Sequence, residues 1–204
     1  MRIEIVVFDG FDELDAIGPL EVLSHAAGFG APFEVVLVGV DGPGEITGSH
    51  GTRLIVGSGL GRPDAVLVPG GGWLDRAPEG AWAQAQRGVL PAQLAALTPS
   101  LTWIASVCTG GMLLASAGVL AGRTATTNRH ALDAMREAGG ITVLPHRVVD
   151  DGSVITAGGI LSGIDLGLRI IEREAGADLA TRVAQALEYE PSDDVWHSPT
   201  LAAR

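Results

Sequence analysis

Short runs of β-branched and aliphatic residues alternate along the chain with longer stretches whose apolar positions recur at helical spacing. That alternation predicts a mostly parallel sheet covered by helices on both faces, an α/β fold. Strands are predicted over residues 2 to 8, 33 to 40, 64 to 68, 101 to 107, 123 to 127 and 153 to 157. Helices are predicted over 16 to 28, 79 to 97, 109 to 119, 128 to 138, 161 to 175 and 177 to 189, several with glycine at or just beyond the end. Between Asp41 and Pro63 the pattern gives way to glycine-rich sequence, which indicates turns and short strands inside the same domain. After Glu190 the stretch PSDDVWHSPTLAAR is polar apart from Trp196. One domain is therefore expected over residues 1 to 191, followed by a short tail over 192 to 204.

Composition narrows the functions open to such a domain. With 204 residues, 47% of them hydrophobic and 18% charged, the chain can bury one substantial core. Its first apolar run is too short for a secretory signal and no later run is long enough to span a membrane, so a cytoplasmic protein without a membrane partner is expected. A formal charge of −11 with no basic stripe argues against nucleic acid as a partner. All 13 basic residues are arginine, which removes the lysine that a Schiff base or a phosphate-binding loop of the GxxxxGK type requires. The single cysteine forms no internal disulfide, and the five histidines lack metal-binding spacing. Neither a metal nor an organic cofactor is expected.

Candidate chemistry concentrates in LTWIASVCTGGMLLASAGVL, residues 101 to 120, where a buried-type strand meets Cys108 and a helix begins at once. Such an elbow presents its central side chain at the carboxyl end of the strand, with Gly110 and Gly111 letting the helix pack closely. The adjoining helix terminus favours thiolate over thiol, so a reactive anion is expected near neutral pH. A free cysteine is more often a small buried hydrophobe. The conjunction of strand, cysteine, threonine, paired glycines and helix favours a nucleophile.

Four other stretches are expected to contribute to the same site. PGGGW, residues 69 to 73, follows the strand DAVLV, and the amides of Gly71 or Gly72, with that of Thr109, are expected to form an oxyanion-hole-like pocket; the competing reading is an ordinary tight turn. DAIGPLEVL, residues 15 to 23, carries Asp15 and Glu21, one of which is expected to face the thiol. A buried Asp15 beside sulfur would hold its proton as a general acid; alternatively Asp15 caps the helix and Glu21 lies on a solvated face. Residues 122 to 135 and 146 to 168 are rich in hydroxyls and glycine and are expected to supply pocket walls. His130 has nothing local to orient it as a base, so a surface or packing role is expected.

Taken together, DAIGPLEV, SHGTRL, PDAVLVPGGG, IASVCTGGMLLASAGVLAGRTATTN, RVVDDGSVITAGGILSGIDLGL and QALEYEP closely resemble the ThiJ/PfpI superfamily, and its isonitrile hydratase-like branch in particular, from about residue 3 to residue 191. The resemblance implies a single-domain, flavodoxin-like sandwich related to class I glutamine amidotransferases. It also implies a homodimer and a small-molecule substrate. By matching motifs it makes Cys108 the nucleophile, Thr109 the adjacent hydroxyl, Asp15 the acidic partner, and Gly71 or Gly72 the amide loop. Protease-like members place histidine directly after the cysteine; Thr109 stands there instead, against peptidase activity. Isonitrile hydratases commonly read ATTHW where this chain reads ATTNR, so Asn128 and Arg129 replace a pocket histidine and tryptophan. The implied activity is hydration of a small isonitrile to an N-substituted formamide. The alternative is a non-enzymatic redox- or ligand-sensing dimer using the same thiol. Arg129 either lies in the cleft and selects an anionic substrate or points to solvent.

Overall fold

The computed structural model describes residues 1–199. The elements follow in the order β1 (Arg2–Val7), α1 (Glu13–Gly28), β2 (Glu34–Gly39), β3 (Gly44–Thr47), β4 (Arg53–Val56), β5 (Ala65–Val68), α2 (Ala81–Arg87), α3 (Val89–Leu97), β6 (Trp103–Val107), α4 (Gly110–Ser116), β7 (Thr124–Ala125), α5 (Leu132–Glu137), β8 (Thr142–Val143), β9 (Val148–Asp151), β10 (Val154–Ala157), α6 (Ser162–Ala175), α7 (Ala177–Ala186) and β11 (Val195–His197). Seven strands form the central sheet in the order β11-β9-β10-β6-β5-β1-β2. The run from β2 to β10 is parallel, β9 is antiparallel to β10, and β11 pairs parallel with β9.

The apolar runs become the middle of this sheet because they can be buried on both faces. β5 and β6 are buried throughout, and Ile3, Ile5, Leu67 and Ile104 are sealed from solvent. Each such side chain contributes roughly 1.5–3 kcal/mol of burial. Helices α1, α6 and α7 pack together as one group, and α2, α3 and α4 as another. The fold is thus a single α/β domain with a mostly parallel sheet flanked by helices. Where α1 crosses α6 the contact is close enough that a Cβ at Gly167 would fall 2.8 Å from a Val22 methyl. Among the described residues no helix is long and apolar enough to cross a membrane.

Several boundaries differ from expectation for identifiable reasons. α1 begins at Glu13 rather than residue 16, because the Asp12 carboxylate caps it by accepting from the Leu14 N–H. The helix expected over 79 to 97 is broken at Gly88, whose φ of +75° lies in the left-handed region that ends α2 and starts α3 anew. The strand expected over 123 to 127 shrinks to β7 and pairs with β8 outside the central sheet. Glycine-rich residues 41 to 63 carry the short strands expected there as the antiparallel pair β3 and β4.

Strand β9 was not foreseen, and a buried charge network explains its place. Asp150, fully buried, accepts from Arg169 Nε at 2.9 Å, Arg173 Nη1 at 3.0 Å and the Gly152 N–H at 3.1 Å. Beside it Asp165, also buried, accepts from the Arg147 guanidinium, from Tyr189 Oη at 2.7 Å and from the Ser192 N–H at 2.9 Å. These bonds tie the stretch after residue 191 to α6, and from there β11 joins the sheet; residues 200–204 of the expected tail lie outside the described residues.

Candidate functional site

Strand β6 delivers Cys108 to the carboxyl edge of the sheet, and α4 begins two residues later. Cys108 adopts φ of +56°, which is costly for a residue with a Cβ. Its backbone is held there from three directions: its N–H donates to the Ala157 carbonyl at 3.1 Å, and its carbonyl accepts from Thr127 Oγ1 at 2.8 Å and the Gly111 N–H at 3.3 Å. The glycine after Thr109 is a packing necessity, since a Cβ at Gly110 would sit 2.1 Å from the Val68 carbonyl oxygen. The elbow lies against the loop after β5 just as tightly, with a Cβ at Gly70 falling 2.4 Å from Thr109 Oγ1.

Cys108 is only 6% exposed. Asn128 Nδ2 donates to its sulfur at 3.2 Å, and the Thr109 N–H is directed at it as well. Asn128 is fixed in turn by its Oδ1, which accepts from the His130 N–H at 3.0 Å. On the other side stands Asp15, fully buried in the first turn of α1. Its Oδ2 accepts from the Gly70 N–H at 2.9 Å; its Oδ1 is buried without a bond of ordinary hydrogen-bond geometry. The thiol lies close enough for each group to act on the other's proton.

Two buried acids side by side resist ionisation together. Burial pushes the Cys108 thiol up to about 12, and the charge of Asp15 adds to the rise while the Asn128 and Thr109 donors oppose it. Burial likewise lifts Asp15 well above the ordinary carboxylate range, helped by the charge on Asp12 and opposed by the Gly70 N–H and the thiol. The direction of both shifts runs against the expected resting thiolate. Desolvation outweighs two donors, and α4, spanning Gly110–Ser116, adds too short a dipole to reverse it.

Of the two acids left open, Asp15 is the one at the sulfur; Glu21 is exposed and lies against His25. Nor does Asp15 cap α1, a role that falls to Asp12. Thr109 is buried, and its Oγ1 accepts from the Gly71 N–H at 3.0 Å. That donor is thereby spent within the protein, which corrects the expectation of a Gly71 oxyanion hole. Gly72, with φ of +61°, completes the loop where a Cβ would meet the Glu79 carbonyl at 2.6 Å. The Gly70 N–H, the hydroxyl of Thr127 and the carboxylate of Asp12 all act on the site and were missed by sequence reasoning. Only Asp12 had a local signal, an acidic residue three positions before Asp15.

Beyond Asn128 opens a cavity of about 600 Å³ whose lining includes Arg129, His130, Leu132, His146, Ile160 and Leu161. His130 is exposed on its rim, away from the sulfur contacts. Among the described residues no group of three or more histidine, cysteine or acidic side chains is arranged to hold a metal ion. The constellation is thus a buried nucleophile and a buried acid within each other's electrostatic reach, with a roomy cavity on the far side of Asn128.

Comparison with known proteins places this geometry among relatives. The model of the DJ-1/PfpI family matches residues 1–173. The chain is 32% identical over 202 residues to an isonitrile hydratase of Pseudomonas putida, covering 94% of this chain and 80% of that protein. It is 31% identical over 159 residues to a deglycase of Thermococcus kodakarensis, covering 74% and 86% respectively. A crystal structure of a ThiJ/PfpI family protein from Pseudomonas syringae superposes with a TM-score of 0.80 at 25% identity, covering 94% of this chain and 76% of that one.

Proposed function

The chain belongs to the DJ-1/PfpI family, and on that footing we propose that it hydrates a small isonitrile to an N-substituted formamide, with Cys108 as nucleophile and Asp15 as proton donor. The observation that carries this reading is that the two groups are buried within reach of each other's charge. Addition of a thiol to an isonitrile places both new bonds, one to hydrogen and one to sulfur, on the same terminal carbon. Donor and nucleophile must then be neighbours, as Asp15 and Cys108 are.

In the proposed sequence Asp15 gives its proton to the isonitrile carbon while the Cys108 sulfur bonds to that carbon, producing a thioimidate. The thiol proton passes to Asp15. Water adds to the thioimidate carbon, and collapse of the adduct releases the formamide and returns the thiol. The net change is R–NC plus water to R–NH–CHO, with no electron supplied or removed. Asn128 Nδ2 and the Thr109 N–H face the sulfur whenever it carries charge. Thr109 Oγ1 acts at one remove, as a positioning group: it holds Gly71, and the neighbouring Gly70 N–H holds Asp15. A homodimer in solution is part of the same proposal.

A protonated, buried thiol is poorly suited to the alternative of a redox sensor, because oxidation follows thiolate character and exposure. Turnover of cyclohexyl isocyanide to its formamide by the parent protein and by Cys108→Ser and Asp15→Ala separates the readings. Loss of activity in both variants is the expected result. Full hydration by Cys108→Ser would sink the mechanism, and no turnover of any isonitrile by the parent protein would sink the activity.

A further inference from the structure

We infer that the cavity lined by Asn128, the residue that touches the Cys108 sulfur, selects a substrate carrying an anionic group, which Arg129 receives; the isonitrile form of this inference rests on the function proposed above. Arg129 directly follows the residue whose side chain touches the sulfur, and it lines the same cavity. The Asn128 side chain, bonded to both the sulfur and the His130 N–H, fixes the turn that carries Arg129.

Among the described residues nothing neutralises this guanidinium. Most of the described arginines have a carboxylate, carbonyl or aromatic ring as partner; among the described residues Arg129 has none. Asp133, one helical turn further on, is turned to Arg136 instead. The carboxylate of Asp194 on the cavity wall is occupied by His146 Nδ1 at 2.6 Å and by the Arg147 N–H at 3.0 Å. Arg147, also on the wall, is itself bonded to Asp165 and Tyr189. The cavity therefore presents one uncompensated guanidinium in a chain of net charge −11, on the wall next to Asn128, whose amide reaches the sulfur.

The rest of the lining defines what joins the two ends of such a substrate. A space of about 600 Å³ far exceeds an isonitrile group, and Leu132, Ile160 and Leu161 give part of its wall apolar character. The chemistry that fits is an isonitrile or comparable electrophile on a short hydrocarbon linker ending in a carboxylate. Arginine receives a carboxylate through two parallel N–H bonds. Because Arg129 is exposed, the preference it confers is about two- to fivefold rather than orders of magnitude.

The test compares 4-isocyanobutanoate with n-pentyl isocyanide, of similar length and no charge, as substrates of the parent protein and of Arg129→Met, Arg129→Lys and Arg129→Glu. The expected readout is the ratio of kcat/KM for the anionic over the neutral compound: it falls about two- to fivefold in Arg129→Met, is partly kept in Arg129→Lys, and falls further in Arg129→Glu. Added salt lowers the ratio for the parent protein and for Arg129→Lys but not for Arg129→Met. An unchanged ratio across the variants overturns the inference while leaving the hydratase standing. If neither compound is turned over, the hydratase reading fails and binding decides by itself, measured by calorimetry with N-formyl-4-aminobutanoate and N-pentylformamide. Tighter binding of the anion that Arg129→Met abolishes upholds the inference, and equal binding by parent and variant overturns it.

Discussion

Alkylation of Cys108 by iodoacetamide, followed by mass spectrometry across a pH series, distinguishes a masked thiol from an activated thiolate. With the thiol raised from 9.0 to about 12, its ionised fraction near neutral pH falls about a thousandfold relative to an unperturbed cysteine. A more basic thiolate is a better nucleophile, and a Brønsted coefficient of about 0.4–0.5 over that interval restores roughly 16- to 30-fold. The native protein at about pH 7.5 should therefore react roughly 30- to 60-fold more slowly than the same cysteine in the urea-unfolded chain. Burial of the sulfur slows the reaction further at every pH, so the profile is more telling than the rate. Expected is a rise of about tenfold per pH unit continuing past about pH 10. In Asp15→Asn the neighbouring charge is gone, so the rise levels off at a lower pH. A native profile that is already flat below about pH 8 would refute the reasoning, since it would mean that the Asn128 and Thr109 donors outweigh burial.

Three perturbations test the framework around the site. Folding raises Asp15 above its ordinary 3.8, so the folded chain holds this proton more tightly than the unfolded one; the resulting stability is full below about 3.8 and is lost as pH rises through the raised value. Asp15→Asn removes that loss, and its urea midpoint should exceed the parent's at neutral pH even though turnover disappears; a lower midpoint would contradict the burial cost. Gly70→Ala forces a methyl to within 2.4 Å of Thr109 Oγ1 and 2.5 Å of the Thr109 nitrogen, and denaturant titration should register a loss of about 1–3 kcal/mol. Asp150→Ala strands the guanidinium groups of Arg169 and Arg173 without their shared carboxylate, for which thermal or urea unfolding should show a loss of about 3–5 kcal/mol; a loss below about 1 kcal/mol would mean that water replaces the carboxylate freely.

The middle of the sheet was legible because Ile3, Ile5, Leu67 and Ile104 sit in runs that only a two-sided burial explains. Cys108 was legible for a different reason: the glycines behind it are needed where α4 meets the Val68 carbonyl, and a hydrophobic role demands no such spacing. Ionisation was not legible, because it depends on how deeply the sulfur is buried and on which of two acids faces it. The fate of the Gly71 amide was equally hidden, since its acceptor lies 38 residues away. Strand β9 escaped notice because VVDD reads as charged, although Arg169 and Arg173, four apart on α6, were a faint sign that one face of that helix serves a buried acid. The three residues of β11 lie below the length at which alternation speaks at all.

That last strand changes how the protein behaves in a crowded solution. β9 would otherwise be the open margin of the sheet, offering unpaired amides and carbonyls to any passing chain; Val195, Trp196 and His197 lie instead beside Val148, Val149 and Asp150. Asp194 and Ser192 fasten this strip to His146 and Asp165 just before it reaches the sheet. A protein cut after Pro191 would keep Cys108, Asp15 and Asn128 yet bare a template for strand-to-strand aggregation. Fusion partners and affinity tags on the carboxyl side therefore belong beyond His197, where they leave the guarded margin intact.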